Sequence, residues 1–73
     1  MDKYNNLTER EKEVLELIIQ GKSNPQIANE LILSIHTVKA HLESIYKKLG
    51  VHNKVQAAIF AVINNLIDVD EMD

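Results

Sequence analysis

At 73 residues the chain makes one small domain, and with no cysteine it has neither disulfides nor thiolate metal sites to staple it. Its 45% apolar content is that of a folded protein, while no apolar run approaches the ~18 residues a membrane span needs and no secretory segment follows the charged N-terminus, which points to the cytoplasm. The net charge of −3 argues at face value against nucleic acid, but the charges are segregated: five lysines oppose two glutamates between Lys22 and Lys54, a balance of +3, whereas the remaining chain carries −6.

Thr8 and Glu11 form a T-x-x-E capping box, with Leu7 ahead of the cap as a hydrophobic staple. Val14, Leu15, Leu17, Ile18 and Ile19 follow, and Gly21 supplies a left-handed stop, so the first helix is expected over about 8–20. Asn24-Pro25 reads as a cap followed by the first helical residue, and Ile27, Ala28 and Leu31 give a short second helix over about 25–32. Ser34 caps a third helix, about 35–49, in which Val38, Leu42, Ile45 and Leu49 recur at helical spacing before Gly50. Asn53 caps a fourth, about 54–66, ahead of an acidic tail. The turn around Leu33 is too short for anything but a sharp crossing, so the second and third helices make a helix-turn-helix braced by the first. The fold expected is all-α, a four-helix helix-turn-helix domain without strands or repeats.

On the third helix, the face opposite the apolar seam holds His36, Ala40, Glu43 and Lys47. Lys39 and Tyr46 lie on one flank, with Thr37, His41, Ser44 and Lys48 on the other. A helix entering the major groove needs a small or polar outward ridge, with hydroxyls and cations beside it for phosphates. Ala40 permits close approach and can meet a thymine methyl, and Lys39 has the reach for guanine O6 and N7. The plainer alternative is a solvated surface in which Glu43 pairs with Lys39 and Lys47, each four residues away.

The fourth helix is apolar nearly all round. Val55, Ala58, Ile59, Val62 and Leu66 share one stripe, Ala57 and Ala61 another, and Phe60, Ile63 and Ile67 fall on further sides. A domain this small cannot cover all of them, so a symmetric dimer through this helix is expected, with Ile59, Phe60 and Ile63 at the interface. The alternative is packing within the monomer or against another domain. Enzymatic chemistry is not expected: His36, His41 and His52 lack metal-ligand spacing, and there is no phosphate loop and no nucleophile with a partnered base. No metal and no cofactor is implied.

These residues together resemble the LuxR-type (NarL/FixJ-type) helix-turn-helix of bacterial transcription regulators. The matching stretches are Leu-Thr-Glu-Arg-Glu-Lys-Glu-Val-Leu (7–15), Gly-Lys-Ser-Asn-Pro-Gln-Ile-Ala-Asn-Glu-Leu (21–31), Ser-Ile-His-Thr-Val-Lys-Ala-His-Leu (34–42), Lys-Leu-Gly-Val (48–51) and Asn-Lys-Val-Gln-Ala (53–57). The resemblance divides the chain into an N-terminal arm (1–6), the DNA-binding domain (7–67) and an acidic tail (68–73). It implies a double-stranded DNA partner with paired half-sites, the third helix in the major groove, a homodimer through the fourth, and a receiver or sensor domain upstream in a two-component response regulator. Lys39, Ala40, Glu43 and His36 are the base-contacting candidates, and Asn24, Ser34, Thr37, His41, Lys47 and Lys48 the backbone-contacting ones. Glu43 stands where several members carry a basic or neutral residue; it either accepts from a cytosine amine or repels unwanted sites. Pro25 replaces a commonly basic residue, and Lys54 stands where Arg is frequent. Region 4 of a sigma factor, which carries a similar helix-turn-helix, and a helix-turn-helix used only for protein contacts are the competing readings.

Overall fold

The computed structural model describes residues 6–66. It has four helices: α1 (Glu9–Ile19), α2 (Asn24–Leu31), α3 (Ile35–Leu49) and α4 (Lys54–Ile63). The core is Leu7, Val14, Leu15, Ile18, Ile27, Ala28, Val38, Leu42, Ile45, Leu49, Ala57 and Ala61. α3 packs against each of the other three helices, and α1 also packs against α4. Among the described residues no helix is long and apolar enough to cross a membrane. Residues 67–73, with Ile67 and the whole acidic tail, lie outside the described part, as do residues 1–5 of the arm.

Each helix starts where a side chain can satisfy an orphan N–H. Thr8 Oγ1 accepts from the Glu11 N–H at 3.0 Å, and the Thr8 N–H donates to Glu11 Oε1 at 2.9 Å. α2 begins one residue earlier than Asn24-Pro25 suggested. Ser23 is its cap, in a second capping box with Gln26, and Pro25 sits one place further into the first turn. Proline is tolerated there because its missing N–H would have had no partner in the first turn. Ser34 and Asn53 cap α3 and α4, as their positions predict.

The helices end alike. The N–H donors of Lys22, Leu33, Val51 and Leu66 reach back to the carbonyls of Leu17, Ala28, Tyr46 and Ala61, each across one left-handed residue. Those residues are Gly21, Ile32, Gly50 and Asn65. Glycine and asparagine suit this conformation. Ile32 (φ 57°, ψ 52°) does not, because its branched Cβ crowds the backbone at a cost of ~1–2 kcal/mol. α4 stops at Ile63 rather than 66, and Asn64 Nδ2 donates to the Phe60 carbonyl at 2.8 Å as the chain turns.

Candidate nucleic-acid interface

The periodic apolar residues of α3 bury as a unit. Val38, Leu42, Ile45 and Leu49 all lie in the core, so the opposite side of the helix is turned outward. His36, Lys39, Ala40, Glu43 and Lys47 are all exposed. Ala40 is the low point of this ridge, with Lys39 beside it and Lys47 two turns on. Glu43 forms an ion pair with neither lysine: the pairs among the described residues are Arg10–Glu13, Lys12–Glu9 and Lys48–Glu11. Its carboxylate is therefore unneutralised in the middle of the ridge.

The flank with Thr37, His41, Ser44 and Lys48 is only half-exposed, because it turns toward α1. Two of its members are committed there. Ser44 Oγ donates to Glu11 Oε2 at 2.6 Å, and Lys48 Nζ donates to Glu11 Oε1 at 2.8 Å and to the Asn6 carbonyl at 3.0 Å. Glu11 is 3% exposed. Burial by itself would raise the Glu11 carboxyl, but hydrogen bonds from Lys48, Ser44 and the Thr8 N–H, with the charge of Lys48, outweigh it and hold the group at about 2 rather than 4.5. Glu11 thus stays charged at neutral pH, and Lys48 Nζ is already engaged within the domain.

The remaining candidates sit at helix starts. Ser34 Oγ accepts from the Thr37 N–H at 3.0 Å and donates to Thr37 Oγ1 at 2.9 Å, which leaves the Thr37 hydroxyl hydrogen for another acceptor. Asn24 Oδ1 accepts from Lys54 Nζ at 2.7 Å, tying the first turn of α2 to that of α4 and leaving the Asn24 amide hydrogens unused. Sequence reasoning passed over Glu11 as the shared partner of Ser44 and Lys48, and Lys54 as the partner of Asn24. Nothing in local spacing signals either contact, since the residues are 30 or more positions apart.

α4 divides differently from an ordinary amphipathic helix. Its buried residues are the small Ala57 and Ala61, while Ile59 (54% exposed), Ile63 (71%), Val55 and Val62 face outward. Phe60 is half-buried and packs against the core. Ile59 and Val62 line a shallow hollow of about 290 Å³ with Ile19, Ala58 and Ile63.

Comparison with known proteins agrees with this architecture. Residues 5–61 match the family described as bacterial regulatory proteins, luxR family. The chain is 45% identical over 65 residues to the transcriptional regulatory protein LiaR of Bacillus subtilis, covering 89% of this chain and 31% of that protein. It is 48% identical over 64 residues to the response regulator VraR of Staphylococcus aureus, covering 88% of this chain and 31% of VraR. Among solved structures it superposes on the response regulator ChrA of a heme-sensing two-component system, with a TM-score of 0.83 and 46% identity over 86% of this chain and 31% of ChrA. It also superposes on the transcription factor GerE, with a TM-score of 0.74 and 32% identity over 81% of this chain and 88% of GerE. The chain thus spans about a third of the length of LiaR, VraR and ChrA. The match to the family model over residues 5–61, with the likeness in sequence and backbone to these regulators, identifies the chain as a member of the luxR family of bacterial regulatory proteins, a DNA-binding helix-turn-helix domain of transcription regulation.

Proposed function

We propose that the domain recognises duplex DNA by sequence, laying α3 in the major groove with His36, Lys39, Ala40 and Glu43 toward base edges. The observation that carries this reading is the two-sidedness of α3: one side is wholly in the core, and the other is an exposed ridge, low at Ala40 and edged by cations. Asn24, Ser34, Thr37, His41 and Lys47 flank that ridge as phosphate contacts. Lys48, bound to Glu11 and Asn6, acts instead as an internal strut that sets the angle of α3.

α4 is the self-association surface in this reading, pairing two copies over two half-sites through Ile59 and Ile63 with Phe60 behind them. Its support is the outward placement of the large apolar side chains. Because the chain spans about a third of several relatives, and two of these are named response regulators, a receiver domain elsewhere in a cytoplasmic protein is the expected source of control.

Selection of bound duplexes from a random pool, followed by a salt titration on the enriched duplex, tests the proposal. Enrichment of a two-fold symmetric sequence, with affinity falling steeply as salt rises, is the expected result. Binding that neither enriches a sequence nor responds to salt overturns it.

A further inference from the structure

Two exposed isoleucines flank the Ser34 cap where α3 begins. Ile32 is 90% exposed and Ile35, the first residue of α3, is 44% exposed. Neither is explained by the domain's own stability. Ile32 occupies a left-handed position that the other three helix ends fill with glycine or asparagine, and a β-branched residue is among the worst suited to it. Its side chain gains almost nothing from the core in return. A strained residue that packs against nothing in the fold is a candidate for contact outside it.

The position of Ile35 indicates what that contact is. It lies four residues before Lys39, hence one turn earlier on the same flank of α3, between the apolar seam and the exposed ridge, so the apolar surface extends the Lys39 flank toward the leading end of the helix. The leading turns of a recognition helix are the ones that approach base edges most closely. The apolar group that the major groove offers there is the C5 methyl of thymine.

We infer that Ile32 and Ile35 form an apolar reading element that seats on thymine methyl groups at the edge of each half-site, fixing sequence preference beyond the base pairs facing Lys39 and Ala40. This rests on the reading that α3 enters the major groove. In it, Ile32 keeps its strained conformation because the turn presents the side chain to DNA, where asparagine or glycine would present nothing apolar.

The test uses the duplex selected by the unaltered chain, with each thymine replaced singly by deoxyuridine, which lacks only the methyl. The unaltered chain is expected to bind about fourfold more weakly at one or two thymines outside the pair read by Lys39, the value of one buried methyl-sized group. In the double variant Ile32→Asn, Ile35→Ser that loss disappears, whereas Lys39→Ala retains it. Asparagine accepts the left-handed conformation, as Asn65 does, so the double variant keeps the fold, and its helical circular dichroism verifies this. Equal deoxyuridine sensitivity in the double variant and the unaltered chain overturns the inference while leaving groove binding intact, and so does a complete lack of sensitivity, the result expected if the two isoleucines serve a protein partner. Failure of the unaltered chain to bind any duplex in a salt-dependent way removes the underlying reading as well.

Discussion

Lys48 Nζ stands 2.8 Å from Glu11 Oε1, joining the last turn of α3 to the first turn of α1 through a carboxylate that is almost wholly enclosed. The same carboxylate holds Ser44 and the Thr8 N–H, so one side chain closes a helix cap and fixes the neighbouring helix. Removing Lys48 strands the enclosed Glu11 charge, and removing the Glu11 charge takes from Lys48 the partner that holds it against α1. Glu11→Gln and Lys48→Met are each expected to cost about 2–4 kcal/mol, measured by urea unfolding. The double variant should cost less than the sum of the two, and strict additivity would mean that the contact contributes no coupling.

The same pair sets acid stability. The Glu11 carboxyl titrates lower in the folded protein than in the unfolded chain, so its contribution is complete above the ordinary carboxylate value of 4.5 and is lost as pH falls toward 2. The amount at stake is about 3 kcal/mol. Unfolding free energy measured from pH 6 to pH 2 should therefore decline more steeply in the unaltered chain than in Glu11→Gln.

Ile32 offers the opposite case, a substitution that strengthens the fold. Ile32→Asn relieves the left-handed strain at an exposed position and is expected to raise stability by about 1 kcal/mol in thermal or urea unfolding. A loss of stability would mean that the turn is not strained.

The lysines of α3 should separate by role. Lys39→Ala is expected to cost ~1–3 kcal/mol of DNA affinity and to relax preference at one base pair. Lys47→Ala should weaken all sequences alike and lower the slope of affinity against salt by about one unit. For Lys48→Met the salt slope should stay unchanged, because that ammonium is already engaged; a slope lower by one unit would assign it to phosphate after all.

Self-association is expected to be separable from folding. Ile59→Glu combined with Ile63→Lys changes two exposed side chains and should shift stability by no more than about 0.5 kcal/mol each while abolishing any dimer seen in sedimentation. A large fall in stability would show that these residues belong to the monomer's own packing.

Much of this architecture is written locally. The apolar period of Val38, Leu42, Ile45 and Leu49 sets both the core side of α3 and its outward ridge, and Thr8, Ser34 and Asn53 mark three helix starts because a capping side chain acts within three residues of itself. The fourth start was equally local but ambiguous. Ser23 with Gln26 competes with Asn24-Pro25, and the reciprocal pair of hydrogen bonds prevails. What local spacing could not disclose is tertiary pairing. Lys48 looks like any surface lysine until α1 brings Glu11 beside it, and Asn24 looks like a cap until α4 brings Lys54. The strain at Ile32 is also invisible in sequence, since isoleucine gives no hint that its backbone must turn left-handed.

α4 spends its smallest side chains inward, with Ala57 and Ala61 admitting the neighbouring helices closely, and keeps its bulk on the outside. Substitution of the outer isoleucines and valines can therefore change what this face offers to a neighbour without disturbing the interior alanines on which folding depends. The outer face of α4 is thus free to diverge while the packing that holds α3 in place stays the same.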